Sequence, residues 1–287
     1  MKAITYDRYG SPAVLRMQEV PKPAPADDEI LIRTRATTVT TGDWRVRSMD
    51  VPTGFGLLSR LIFGLTKPRQ PILGTELAGE IEAVGPGVTR FKTGDRVFAF
   101  DGARMGCHAE YKCMPESGSI APMPKNMTFE EAAALSFGGT AALHFLRAAG
   151  LKRGERVLIN GASGCVGSAT VQIAKHFDAH VTGVCSTHNL QLVRSLGADR
   201  VIDYTREDFT QNGETFDVIV DTAGTSPFSR CSISLNDNGR LLIVLGKLPD
   251  MLQIPWISLT TNKKVIAGPA TERPEDLASL PNELLAN

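Results

Sequence analysis

The chain has 287 residues, 42% hydrophobic and 22% charged, with 31 basic side chains against 31 acidic ones. It is long enough for two domains with cores of their own and too apolar to be disordered. Its zero formal charge provides no global field to draw it to nucleic acid or an anionic membrane.

Met1–Tyr6 lacks the apolar run of a secretory signal. The most apolar stretch elsewhere, Gly54–Leu65, contains Arg60 and is too short to span a bilayer. The five cysteines, Cys107, Cys113, Cys165, Cys185 and Cys231, are an odd number and suit reduced thiols, so a cytoplasmic protein is expected.

Up to about residue 121 the chain reads as short β-like runs: Ala3–Tyr6, Glu29–Thr38, Leu77–Val84, Arg96–Phe100 and Ala109–Cys113. Turns such as Gly85-Pro86-Gly87 separate them, a pattern that predicts a compact, barrel-like β domain. The run Pro21–Pro25 reads as a stiff surface connector. Asp43 is a cap candidate for a helix over Trp44–Ser48. Phe55, Leu58, Leu61 and Ile62 lie at helical spacing, as for core packing or an apolar substrate pocket.

From residue 122 the rhythm becomes strand–helix–strand. A helix capped by Thr128 runs to about Ala149, with Glu130 and Glu131 in its first turn. Strands follow at Arg156–Asn160, Val181–Cys185, Arg200–Ile202, Asp217–Asp221, Arg240–Leu245 and Lys264–Ala267, with helices at Val166–Phe177 and Asn189–Leu196. This alternation predicts an α/β fold with a parallel, doubly wound sheet over residues 122–269. Residues 270–287 form a short C-terminal segment that opens with a helix near Pro274.

The densest chemical signal is Gly161-Ala162-Ser163-Gly164-Cys165-Val166-Gly167, set between a strand and a helix. Gly161 allows a tight exit from the strand, Gly164 lets the backbone approach a pyrophosphate, and Gly167 lets the helix pack on the strand. The helix N-terminus offers N–H groups and partial positive charge to phosphate. In this context the seven residues are read as a dinucleotide site.

An NAD-selective site carries an acid at the end of the second strand, for the ribose hydroxyls. No carboxylate lies between Val181 and Ala198. Ser186, Thr187 and Asn189 are donors suited to a 2′-phosphate, with Arg194 and His188 close by in sequence, so NADP(H) is expected. The plainer alternative is that Ser186 or Asn189 caps the next helix. Leu245, closing its predicted strand, is counted with the cofactor contacts.

With these residues in place, the chain resembles the medium-chain dehydrogenase/reductase superfamily, in its zinc-free quinone oxidoreductase group. The resemblance is carried by Gly74–Gly85, Phe91–Val97, Glu130–Ala134, Gly161–Gly167, Leu196–Asp199 and Val201–Tyr204. It implies a GroES-like β-barrel domain over residues 1–121, a Rossmann domain over 122–269, and a site in the cleft between them. It also implies a nicotinamide contact at Thr140, a 2′-phosphate contact at Tyr204, and an acceptor contact at Thr40, which aligns with a family asparagine. Family members return to the β domain after the last Rossmann strand. With the chain stopping at Asn287, that closing element is expected to be missing or shortened, which favours cofactor binding over turnover. A homodimer is implied as well, with Lys264–Gly268 or its neighbour as the edge strand to pair.

Zinc enzymes of the superfamily have Gly-His-Glu where this chain has Gly74-Thr75-Glu76, a ligand cysteine within Thr38–Asp43, and a third ligand at Ser136. None of these positions holds a strong zinc ligand here, so no catalytic metal is expected. Cys107, His108 and Cys113 are the only metal-like cluster, and adjacent Cys-His side chains turn poorly toward one tetrahedral ion.

Without zinc, an acceptor whose negative charge spreads into an enolate or quinol is easier to reduce than an isolated carbonyl. The leading reading is therefore an NADPH-dependent quinone or enone reductase, with Thr40, or a strand-edge threonine with no such role, and His108 as the candidate polar groups. The alternatives are a zinc-free NADP-dependent alcohol or aldehyde dehydrogenase, and an NADPH-binding protein with little turnover. The expected partners are small molecules, with no nucleic acid and no membrane.

Overall fold

The computed structural model describes residues 1–270 and 273–284, the last four by backbone alone. Two compact units account for them, one built on residues 1–51, 55–137 and 273–279, the other on residues 52–54, 138–270 and 280–284.

The first unit contains β1 (Lys2–Thr5), β2 (Arg16–Glu19), β3 (Glu29–Thr37), α1 (Thr41–Ser48), α2 (Gly56–Phe63), β4 (Glu76–Val84), β5 (Arg96–Phe100), β6 (Tyr111–Pro115) and β7 (Ser119–Pro122). Five strands form an antiparallel sheet in the order β6-β3-β4-β5-β7, and β1 pairs with β2 in a separate antiparallel pair. Ile30, Ile32, Leu77, Ile81, Val97 and Met114 form one core cluster on this sheet. Two strands escape the pattern expected from sequence. All four residues of β2 are exposed, so it shows no alternation, and β7 ends on Pro122. Strand β6 begins two residues later than predicted, because Ala109 makes an isolated bridge to Ala3 instead.

Helix α3 (Phe129–Ala149) opens with a capping box: Glu131 N–H donates to Thr128 Oγ1, and Thr128 N–H donates to Glu131 Oε2. The division between the units falls inside it, after Phe137.

The second unit continues with β8 (Arg156–Asn160), α4 (Cys165–His176), β9 (His180–Cys185), α5 (Leu190–Ser195), β10 (Arg200–Asp203), β11 (Phe216–Asp221), α6 (Phe228–Cys231), β12 (Leu235–Ile243), α7 (Leu248–Leu252), α8 (Ile254–Thr260) and β13 (Lys264–Ala267), and α9 (Pro274–Leu284) is divided between the units, its residues up to Ser279 counting with the first. The six strands are parallel and run β10-β9-β8-β11-β12-β13, the doubly wound order with β8 at the centre. Among the described residues, strand β13 is an edge, paired only with β12. Helices α7 and α8 were not expected from sequence; each has a proline in its first turn, which suits a helix start.

Candidate functional site

Strand β8 is buried up to Asn160, and the chain leaves it at Gly161 with φ of +85°, a left-handed value that favours glycine. The amides of Gly161 and Ala162 both donate to the Val184 carbonyl at 3.0 Å, which ties the turn to β9. A β-carbon at Gly161 would stand 2.6 Å from Thr222 Oγ1, and one at Gly167 would stand 2.1 Å from the Gly161 carbonyl oxygen. The fold therefore requires both glycines. Gly164 differs. Its φ of −79° and ψ of 172° suit any residue, and a β-carbon there would meet nothing in the protein nearer than 3.4 Å. Gly164 and Cys165 are exposed at the turn, while Ala162, Val166 and Gly167 are buried and act through its shape. Gly164 is also the N-cap of α4 and brings no side chain to it.

The helix carrying Thr140 reaches this turn. A β-carbon at Gly138 would meet Cys165 Sγ at 2.7 Å, so α3 passes directly over the start of α4. Thr140, one half-turn further, is buried.

At the end of β9, Ser186 and Asn189 stand at helix-start positions but neither side chain caps. The capping alternative is thus set aside. Asn189 Nδ2 instead donates to Ser163 Oγ (3.1 Å) and Ser186 Oγ (3.2 Å), joining the two turns with one amide. A hydroxyl that accepts keeps its own proton to donate, so both serines retain one for a ligand.

Thr187 donates to Asp203 Oδ2 at 2.6 Å, and Thr205 donates to Asp203 Oδ1 through both N–H and hydroxyl. These bonds, Thr187 first, hold the Asp203 carboxyl below the usual range. The sequence showed no acid on β9 itself; the sheet brings this one in from the end of neighbouring β10. Next to it, Tyr204 is exposed and lines a cavity of about 470 Å³ with Gly161, Val184, Asp208, Thr225 and Arg230. Leu245 lies just beyond β12, and its carbonyl oxygen would stand 2.9 Å from a β-carbon at Gly224.

Sequence reasoning missed a second layer. Asp221, at the end of β11 and 1% exposed, takes Asn160 Nδ2 at 2.9 Å and the amides of Gly224 (3.0 Å) and Ser226 (2.8 Å). Asn160 also donates to Thr225 Oγ1 at 2.9 Å. The pair shapes the 222–226 loop against the glycine turn. The available signal was position: both residues are polar and end apolar strands at the carboxyl edge, where such sheets bind ligands.

In the first unit Thr40 is the N-cap of α1. Its Oγ1 accepts from Asp43 N–H and donates to Asp43 Oδ2 at 2.8 Å, while Thr40 N–H donates to the same oxygen. This corrects the sequence reading: Asp43 is the third residue of a capping box. Asp43 Oδ1 further accepts from Gly74 N–H at 2.9 Å. Thr40, Thr75, Phe100 and Phe137 line a cavity of about 190 Å³.

Glu76 is 1% exposed. It accepts from Thr38 Oγ1 at 3.0 Å and from the Phe137 amide at 3.2 Å. Burial, opposed by those two bonds, pushes its carboxyl up to about 7. His108 Nε2 lies 2.8 Å from the Thr38 carbonyl. A carbonyl only accepts, so Nε2 carries the proton and spends it on the backbone. His108 is thereby a brace in this structure, and its ring also packs on Gly74, where a β-carbon would meet it at 2.5 Å. Burial raises the thiols of Cys107 and Cys113, the latter to about 11.

The stripe does not pack as core. Leu58, Leu61 and Ile62 point outward, and Phe55 is half-buried.

Two family models match the chain. Residues 26–125 match the alcohol dehydrogenase GroES-like domain, and residues 165–285 match zinc-binding dehydrogenase. The chain is 35% identical over 277 residues to a chloroplastic quinone-oxidoreductase homolog of Spinacia oleracea, covering 92% of this chain and 80% of that one. It is 36% identical over 256 residues to a 2-methylene-furan-3-one reductase of Solanum lycopersicum, covering 86% and 62%. The structure of Escherichia coli quinone oxidoreductase complexed with NADPH superposes with a TM-score of 0.82 at 26% identity, covering 100% of this chain and 87% of that one.

Proposed function

This chain belongs to the medium-chain dehydrogenase/reductase superfamily, in its quinone oxidoreductase-like group, and on that premise we propose that it is a zinc-independent oxidoreductase moving a hydride from NADPH to a quinone or an activated alkene (enone). The observation that carries the cofactor half is Gly164. The fold accounts for Gly161 and Gly167 but leaves Gly164 without a structural reason, and a ligand lying against its α-carbon supplies one. When bound, the nicotinamide supplies the hydride.

The residues around the turn take the following roles. The first-turn amides of α4 face the pyrophosphate. Ser163 and Ser186, held by Asn189, donate to the adenosine 2′-phosphate, with exposed Thr187 and Tyr204 beside it. Asp203 is bonded to Thr187 and Thr205, which supports a site that tolerates a phosphate. Thr140 and Leu245 border the nicotinamide end. In the first unit, Thr40 faces the acceptor's carbonyl oxygen and acts on it only by releasing Asp43.

Zinc independence rests on residue chemistry. Thr75 and Thr40, on one cavity wall, and buried Ser136 offer hydroxyls where the zinc enzymes offer imidazole and thiolate. The enolate or quinolate anion formed by hydride addition needs less stabilisation than an alkoxide, which favours the conjugated acceptor. The free thiols suit a reducing compartment such as the cytoplasm, and the β13 edge suits pairing of two copies.

The test is titration with NADPH and NADH at one ionic strength, followed by NADPH oxidation with a panel of quinones, enones and aldehydes, before and after chelation. Tighter NADPH binding and metal-indifferent turnover of quinones or enones are expected. Preferred NADH binding, turnover confined to aldehydes, or binding without any turnover would each overturn part of the reading.

A further inference from the structure

Helix α2 is built with its apolar side outward. Phe63 joins the core cluster of Tyr6, Val14, Val46, Leu73 and Met105. The Tyr9 hydroxyl donates to the Gly64 carbonyl at 2.8 Å, and Arg60 stacks over the Tyr9 ring at 5.7 Å. Those contacts fix one face. The other presents Leu57, Leu58, Leu61 and Ile62, which are 72%, 51%, 49% and 48% exposed. At about 100° per residue these positions share a single arc of the helix, and Leu65, 55% exposed, extends it past the last turn. Aliphatic side chains scattered singly over a surface need no explanation, but a contiguous row does.

The charge around this row is one-sided. Residues 51–75 contain Arg60, Lys67 and Arg69 and no Asp or Glu. Across the adjoining hollow, which Lys67 and Arg69 line, stands Asp7, with Arg8 next to it in the chain. Zero net charge over the whole protein therefore conceals a local basic, apolar strip.

We infer that this strip docks the protein on an anionic lipid surface. Helix α2 lies in the plane of the interface, its leucines at the acyl boundary and Lys67 and Arg69 against the headgroups. A bilayer surface is apolar beneath a negative layer, and the strip matches both properties at once. The inference departs from the expectation of no membrane partner, which rested on net charge and on Gly54–Leu65 being too short to span a bilayer. No described helix is long and apolar enough to cross a membrane, and surface docking needs none. It does not depend on the identity of the acceptor.

The test is co-sedimentation of the full chain with vesicles of phosphatidylcholine alone and of equal parts phosphatidylcholine and phosphatidylglycerol. Binding to the mixed vesicles at low salt is expected, falling steeply in about 0.5 M salt. The double variant Leu58→Ser/Leu61→Ser should bind about tenfold more weakly or not at all, with its circular dichroism and NADPH affinity unchanged. Lys67→Gln/Arg69→Gln should lose most of the preference for anionic vesicles. No sedimentation with the mixed vesicles overturns the inference, as does binding that the leucine variant retains. So does a lipid-free dimer that the leucine variant abolishes, which would make a second copy the occupant of this face.

Discussion

The glycine turn of the second unit and the threonine–glutamate cluster of the first are both rich in polar groups, but they spend them differently. In the first unit nearly every polar group named above is taken up by the protein itself. Thr38 serves Glu76, Thr40 and Asp43 serve each other, and His108 serves a carbonyl. In the turn, Gly164 leaves space the fold does not use, and Ser163 and Ser186 accept a bond while keeping a proton to give. A site for a ligand shows itself as capacity the folded chain leaves unspent. Internal bonding of the other kind marks scaffolding.

That contrast is open to attack. The largest effect belongs to Gly167→Val, which sets side-chain atoms against the Gly161 carbonyl. A stability loss of more than about 3 kcal/mol is expected in urea unfolding, with NADPH affinity lost alongside. Next comes Glu76. Its carboxyl is raised from 4.5 to about 7 by burial, so the folded state prefers it protonated. Its contribution to stability is complete below about pH 4.5 and is lost as pH rises to about 7, by up to about 3 kcal/mol. Glu76→Gln should flatten that slope, and a variant that keeps the slope would remove Glu76 from the account.

Gly164→Ala is the sharper probe of the turn. Stability should hold within about 0.5 kcal/mol while the NADPH Kd rises about tenfold. An unchanged Kd would mean that no ligand lies against this α-carbon. Thr40→Val should cost about 1–2 kcal/mol, the value of a helix cap, with Thr40→Ser close to wild type. A fall in kcat for Thr40→Val that Thr40→Ser restores would establish contact with the acceptor. The smallest effect is expected for His108→Gln, which keeps a donor for Thr38. Turnover should stay within about twofold, whereas the loss of 100-fold or more typical of a general acid would reverse its assignment as a brace.

Local signals were the ones legible in the sequence. Strands β8 and β13 fall where their apolar runs predict, and the glycine turn sits between strand and helix as its pattern requires. Signals that depend on distant partners were not legible. Asn160 and Asp221 are 61 residues apart, and His108 and Thr38 are 70 apart. Nothing near Thr40 reveals that its hydroxyl is bonded to Asp43 in the folded chain. The apolar spacing of α2 was plain, but spacing fixes only which residues share a face, not whether that face turns inward.

Asp203 has one more consequence. On the NADPH reading, an acid stands at the rim of the adenosine pocket, as selectivity for NADH requires, and here it is folded back onto Thr187 and Thr205. The preference then rests on Thr187, on the amide and hydroxyl of Thr205 and on Arg206, rather than on the absence of a carboxylate. A lineage carrying this arrangement keeps a carboxylate close to the pocket, and replacing Thr187 and Thr205 would leave it held only by the residue-205 amide and Arg206.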